Sequence, residues 1–473
     1  MHTQNNQLIL IKKNSLYLLF FSIFFFILLS LFVFFNINTQ EFDIEMVTVS
    51  IFFFFFLTFI LINEENKFTL IIFFSLLFYG YVFSGLYFSY YQNIHTAKFF
   101  NFHGNFTTED IKESLYKVVC GYIFFVLGYK LSNRIKIKKV NLEIKNINYK
   151  SKKIEYILII LFLISFSYWI FVSYRITNGP ISLLSNMGIY ELLLHKSYIS
   201  TAPYILAYVS TSFLFIIYLK NKRKISLFII FMIISSFIMY VSTARLSGAV
   251  FYLISFPLMY AIYFQFKVNL KILLWLSLFA IFLGFLYFFR FYSNLSYLGL
   301  EIDSNIFKLM GEHFFGMTNF GDLQSITFAN QYTKDYGYLY GLSFFDFSYF
   351  WISKIFWIDL ESTSIGTRLT NYYFYHVDSG SPAPGIISEV IMNFGYVGLT
   401  VIMFLIGVIL NLISKSINLE YNIFNLYVYT NFLLFALLLT KVDSSHISSL
   451  IWSIMPLYLL GIVLRKKVKL NEK

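Results

Sequence analysis

The chain has 473 residues, 58% of them hydrophobic and 13% charged, with a formal net charge of +12 and a single cysteine. Soluble domains carry about a quarter charged residues and disordered chains have low apolar content, so both classes are excluded. Lone Cys120 excludes an internal disulfide framework, and so apolar a chain offers no folded aqueous surface on which a nucleic acid would bind.

Runs of roughly 20 apolar residues, long enough to cross a bilayer core as helices, occur at about 14–36, 47–63, 68–90, 116–132, 154–175, 201–219, 225–242, 247–265, 272–289, 386–413, 422–440 and 449–464. They are apolar all round, as lipid-embedded helices are. The fold expected is all-α and polytopic, with about 12 spans. The first run follows Lys12 and Lys13 but is too long for a signal peptide and lacks a small-residue cleavage site, so it reads as a retained helix. The 61 Phe and 38 Tyr residues rise together with Ile, Asn and Lys, a pattern of AT-rich codon usage, so aromatic counts alone carry no function.

The connecting segments set the orientation. With the N-terminus inside, the inner segments comprise Lys12 and Lys13, Lys67, the run from Lys130 to Lys153, 220–224, Lys267 and Lys271, Lys415, and the tail from Arg465 to Lys473. They hold 24 basic and six acidic residues, a net of +18, whereas the outer segments hold 12 basic and 18 acidic, a net of −6. The positive-inside rule then puts both termini in the cytoplasm. The basic 133–153 linker is expected near anionic headgroups.

Three regions follow: nine spans with short loops over 1–289, a large outer segment over 290–385, and three spans with a tail over 386–473. A segment as long as 290–385 is expected to be functional rather than structureless. Within it, 303–320 reads as an amphipathic helix and 343–358 as an interfacial or re-entrant stretch.

The spans hold almost no ionisable residues near their midpoints, which speaks against an ion-coupled transporter. Only seven of the 36 basic residues are arginine, and four of those, Arg175, Arg245, Arg290 and Arg368, lie on the outer side. The planar guanidinium fork matches phosphate oxygens, although an interfacial arginine also serves as a snorkelling anchor. Arg245 lies in a tight small-residue turn, Ser242-Thr243-Ala244-Arg245-Leu246-Ser247-Gly248.

In the long segment, His313 and His376 are the candidate bases among the histidines, and Asp378 is placed to orient His376, with Arg368 close by in sequence. Glu41-Phe42-Asp43 forms an E-x-D pair, read either as a metal or base site or as two ordinary acids. Glu389 lies just inside the tenth span, where a charge is costly unless paired and where a helix N-terminus favours it. Neither HExxH nor paired CxxC occurs, so neither a metal nor a cofactor is expected.

The turn Thr243-Ala244-Arg245-Leu246-Ser247, the series Ser388-Glu389, Asn393-Phe394-Gly395 and Gly398, the dozen spans and the large outer segment together resemble the Wzy family of oligosaccharide repeat-unit polymerases. The resemblance implies a GT-C-like membrane glycosyltransferase of a bacterial inner membrane, working on its periplasmic or outer face in O-antigen, lipopolysaccharide or capsule biosynthesis. It would transfer a growing glycan from undecaprenyl diphosphate to a lipid-linked repeat unit. Arg245, Arg290, Arg368 and Arg175 would hold the diphosphate, with Glu389, His376 or Asp378 as base and His313, Tyr372, Tyr373 and Asn393 near the substrate. Implied partners are the lipid-linked oligosaccharide and membrane lipid, together with a chain-length regulator and a flippase.

O-antigen ligases and other polyprenyl-linked glycosyltransferases are the nearest alternative, but the ligases carry a His-Asn pair where His376 is followed here by Val377. A flippase or transporter, the third reading, would line a central cavity with cations buried in its spans.

Overall fold

The described residues of this computed structural model are 43–64, 69–90, 107–139, 152–176, 179, 202–221, 225–242, 246–264, 323–345, 365–366, 368–369, 384–417 and 423–440, with isolated residues between 444 and 459. They form an all-α bundle. Its helices are α1 (Ile44–Asn63), α2 (Leu70–Leu76), α3 (Phe78–Tyr90), α4 (Thr108–Leu131), α5 (Lys152–Ile176), α6 (Ala202–Lys220), α7 (Leu227–Ser242), α8 (Leu246–Tyr263), α9 (Leu323–Tyr336), α10 (Gly385–Ser416) and α11 (Ile423–Leu438). Among these, α1, α4 with its 3-10 extension to Arg134, α5 and α10 are long and apolar enough to cross a membrane. The chain is therefore a multi-pass membrane protein, a reading supported by rows of exposed apolar side chains such as Phe52, Phe55 and Phe59 on α1.

Nine of the expected spans coincide with described helices, with two departures. The 68–90 run is divided at Leu77, where α2 ends and α3 begins. Two residues before the break, the Ser75 hydroxyl donates to the Ile71 carbonyl (2.6 Å). The 116–132 span starts earlier, at Thr108, because Thr107 and Asp110 cap it reciprocally: Thr107 Oγ1 accepts the Asp110 N–H (3.2 Å) and Asp110 Oδ2 accepts the Thr107 N–H (2.9 Å). The expected spans 14–36 and 272–289, the 303–320 helix and most of 343–358 lie outside the described residues, as does most of 449–464.

The centre of the bundle is the pair α4 and α10. Their backbones touch at two glycines: a side chain on Gly128 would collide with the Phe404 carbonyl, and one on Gly407 with the Phe125 carbonyl. Close approach through small residues is how membrane helices gain contact where burial of apolar surface supplies little drive. At one end of the pair, Asn411 donates to the Tyr129 carbonyl (2.9 Å) and Ser132 Oγ (2.7 Å), and Lys415 donates to the carbonyls of Ser132 (3.0 Å) and Asn133 (2.7 Å). Those groups lie at the C-terminal end of α4, where carbonyls lack intrahelical partners.

Aromatic packing joins α1, α2, α3 and α4. Phe74 lies 4.1 Å from Phe125 between ring centres, Tyr122 lies 4.7 Å from Phe78, and the Tyr122 hydroxyl meets Ser75 Oγ at 2.6 Å. A second cluster links α6, α8 and α11 through Tyr208, Tyr252 and Tyr427, with Tyr208 donating to Asn431 Oδ1 (3.1 Å). Within the long segment, α9 packs on α4 and α10 through polar contacts: Ser114 meets Thr327 (2.8 Å), and Lys117 donates to Asn330 Oδ1 (2.8 Å).

Candidate active site

The α10 helix is broken at Gly395, whose φ of 65° and ψ of −154° belong to a region that side-chain-bearing residues rarely enter. The Met392 and Asn393 carbonyls, just before the break, accept hydrogen bonds from the N–H groups of Leu339 (2.9 Å) and Tyr340 (3.0 Å). The segment following α9 is thus docked backbone to backbone against the broken helix. Asn393 reinforces it by accepting the Gly341 N–H at Oδ1 (2.8 Å).

The segment is itself shaped for this role. Gly337 and Gly341 have φ values of 81° and 91°, and Tyr340 is the non-glycine residue with positive φ among the described residues, at 49°. Its side chain is 78% exposed. The segment then turns into a short 3-10 helix, Leu342–Phe345, which carries Ser343 inward.

Beneath this junction lies Glu389, wholly buried on the fully enclosed N-terminal part of α10. Among the described residues, three donors converge on its carboxylate. Ser343 Oγ and Ser444 Oγ each donate to Oε1 at 2.7 Å, and the Ser444 N–H donates to Oε2 at 2.7 Å. Asn393 closes the network from one turn further along, donating from Nδ2 to Ser343 Oγ (2.6 Å) and to the Glu389 carbonyl (2.8 Å). A buried carboxylate is tolerable only with such partners, since an isolated one costs several kcal/mol or more. Ser444 is brought here because the end of α11 is tied to the bundle: the Ile386 N–H donates to the Leu439 carbonyl (3.0 Å), and the Tyr81 hydroxyl to the Thr440 carbonyl (3.1 Å).

The expectation that a helix N-terminus supports Glu389 thus gives way to a different source of support. Glu389 lies beyond the first turn of α10, and side-chain hydroxyls together with a distant backbone N–H satisfy it. Of the other anticipated residues, Asn393 joins Glu389 in one network, Arg368 is half-buried beside buried Leu369, and Arg175 is exposed in the last turn of α5. Arg245, Arg290, His313, Tyr372, Tyr373, His376 and Asp378 lie outside the described residues. Ser343 and Ser444 were not anticipated. Single serines in segments far apart carry no periodic or motif signal, and only the fold brings them together.

Glu41 of the E-x-D pair lies outside the described residues, while Asp43 is engaged structurally. Its Oδ1 caps α1 by accepting the Met46 N–H (3.0 Å), and its Oδ2 pairs with Lys112 Nζ (3.2 Å). The nearly buried Lys112 also pairs with Glu45 (3.1 Å) and Glu109 (2.8 Å), joining the starts of α1 and α4. Among the described residues no group of three His, Cys, Asp or Glu side chains is arranged to hold a metal ion.

In a comparison with known families, the model described as "O-antigen polysaccharide polymerase Wzy" matches residues 17–473. No curated protein and no solved structure matches the chain.

Proposed function

The chain belongs to the O-antigen polysaccharide polymerase Wzy family, and from that premise we propose how its residues share the work. The protein is a membrane enzyme that joins oligosaccharide repeat units into O-antigen polysaccharide. In the proposed reaction, a hydroxyl of a lipid-linked repeat unit attacks the anomeric carbon of a growing glycan carried on undecaprenyl diphosphate. A carbon–oxygen bond forms to the acceptor, and the bond to the diphosphate breaks. The electron pair leaves with the lipid diphosphate, and the hydroxyl proton passes to a protein base.

Arg245, Arg290, Arg368 and Arg175 neutralise the charge that develops on the leaving diphosphate. Glu389 or His376 receives the proton, with Asp378 orienting His376 or serving in its place. His313, Tyr372, Tyr373 and Asn393 line the substrate path. The observation that supports Glu389 is its complete burial beneath three donors, at the junction where α10 breaks and the long segment docks.

The wider arrangement proposed is a GT-C-like bundle of about twelve spans with cytoplasmic termini. Its site faces the outer side of a bacterial inner membrane, served by a flippase and a chain-length regulator. This orientation rests on the imbalance between 24 basic residues in the inner segments and 12 in the outer ones. Deleting the gene and resolving surface glycans on a gel tests the function. Collapse of the ladder to single repeats is expected, and a ladder of unchanged length would overturn it. Loss of the glycan from its final carrier with polymer retained would instead indicate a ligase.

A further inference from the structure

We propose that Ser343 and Ser444 are positioning residues for polymerisation, together fixing the orientation of the Glu389 carboxylate. The inference deepens the reading above and rests on Glu389 as the group that receives the acceptor's proton. Each serine is at least 96% buried, and they approach Glu389 from segments 101 residues apart, before and after α10.

The direction of the Ser343 bond is fixed by chemistry. Asn393 Nδ2 can only donate, so Ser343 Oγ accepts there at 2.6 Å and turns its own proton toward Glu389 Oε1. Ser444 grips both oxygens, its N–H on Oε2 and its hydroxyl on Oε1, each at 2.7 Å. Two anchored oxygens define the plane of a carboxylate, whereas one bond would leave it free to rotate. A base acts only when a lone pair lies within about 3 Å of the proton it takes, so setting this plane is a contribution to rate. Ser444 Oγ also lies 3.5 Å from the Ser343 carbonyl, which links the two docked segments directly. The carboxylate therefore adopts its set orientation only while both segments are seated.

The test uses the full chain in nanodiscs with a lipid-linked repeat unit as substrate, comparing Ser343→Ala, Ser444→Ala, Ser444→Thr and Glu389→Gln. Rates are normalised to folded protein measured by thermal unfolding. Each alanine variant is expected to lower kcat several-fold, because Oε1 keeps one hydroxyl and Oε2 keeps the Ser444 N–H. The Ser343→Ala/Ser444→Ala double variant, which leaves Oε1 unanchored, is expected to lower it at least about tenfold, with KM nearly unchanged. Ser444→Thr, which keeps both donors, is expected to restore most of the loss. Wild-type kcat in both alanine variants, with Glu389→Gln inactive, would overturn the positioning role while leaving Glu389 in place. A raised KM at unchanged kcat would also overturn it. Wild-type turnover by Glu389→Gln would instead remove the reading of Glu389 itself. If Ser343→Ala does not fold, the Ser444→Ala and Ser444→Thr pair decides alone, because Ser444→Ala retains the backbone N–H.

Discussion

The phenol of Tyr338 occupies the space that a side chain at Gly395 would fill, since a Cβ there would lie 2.7 Å from the tyrosine hydroxyl. The glycine thus does two things at once: it permits the break in α10 and makes room for the segment that docks on it. Gly395→Ala is expected to lose about 1–3 kcal/mol from backbone strain, with a further loss from the contact. Thermal unfolding in detergent reads the destabilisation, and gel analysis should show shortened glycans. Adding Tyr338→Ala should recover only the contact part, because the positive φ persists. Full recovery in the double variant would show that backbone strain at residue 395 is unimportant.

Asn393 joins the docked segment to the carboxylate, and its replacement should weaken both. Asn393→Asp preserves shape but removes both donor bonds, to Ser343 Oγ and to the Glu389 carbonyl, and places a second carboxylate beside the first. A loss of about 2–3 kcal/mol and of nearly all polymer is expected. A variant as stable and active as the parent would argue that the network has no role in either property.

The glycine crossing of α4 and α10 predicts a purely architectural failure. Gly128→Leu or Gly407→Val forces apart two backbones that touch. The expected result is little folded protein by size-exclusion chromatography, with a cost of at least about 1–3 kcal/mol. Monodisperse protein of normal stability from either variant would contradict the close approach.

Lys112 gathers Asp43, Glu45 and Glu109 at the starts of α1 and α4. Lys112→Met keeps the bulk of the stem but leaves three acids facing one another. A modest loss of stability is expected at neutral pH, carried mainly by the partly buried Lys112–Asp43 pair, because Glu45 and Glu109 are largely exposed. The deficit should shrink as pH falls toward about 4, where carboxylates begin to protonate. Unfolding curves at several pH values would show it, and a deficit independent of pH would rule out charge as its cause.

Tyr340 offers the opposite sign. Its φ of 49° is unfavourable for a bulky residue, and its side chain is mostly exposed. Tyr340→Gly should therefore be neutral or stabilising by up to about 1 kcal/mol at the level of folding. A clear destabilisation would mean that the ring's edge-on contact with Tyr338, 6.2 Å between centres, outweighs the strain.

The apolar runs made most of the helices legible, because lipid demands continuous apolar length and the backbone then has few alternatives. The break at Gly395 was not, since Asn393-Phe394-Gly395-Tyr396 lies within an otherwise unbroken apolar stretch and only the docked 339–341 backbone marks it as a junction. The α9 helix is hard to read in the sequence for a related reason. Its buried face includes Gln324, Ser325, Thr327 and Asn330, so it lacks the apolar stripe by which an amphipathic helix is read. Glu389 and Asn393 are both legible through the motif they share, Glu389 as a candidate base and Asn393 as a substrate-side residue, but not their hydrogen-bonded pairing. Their serine partners were not, because a hydroxyl acquires meaning only from what the fold sets beside it.

The break in α10 also separates two environments. Residues 385–393 are wholly enclosed by protein, whereas Val397, Val401, Leu405 and Ile409 beyond it form an outward row at four-residue spacing. Changes in bilayer thickness or acyl composition act on that second stretch, which presents its surface to lipid. The first stretch, with the Glu389 carboxylate, is clamped to neighbouring backbone through the Met392 and Asn393 carbonyls, and the non-helical turn at Gly395 sets it off from the second. A bilayer that swells or thins is expected to act first on the lipid-facing rod, with the hydrogen-bonded Glu389 network held on the other side of the break.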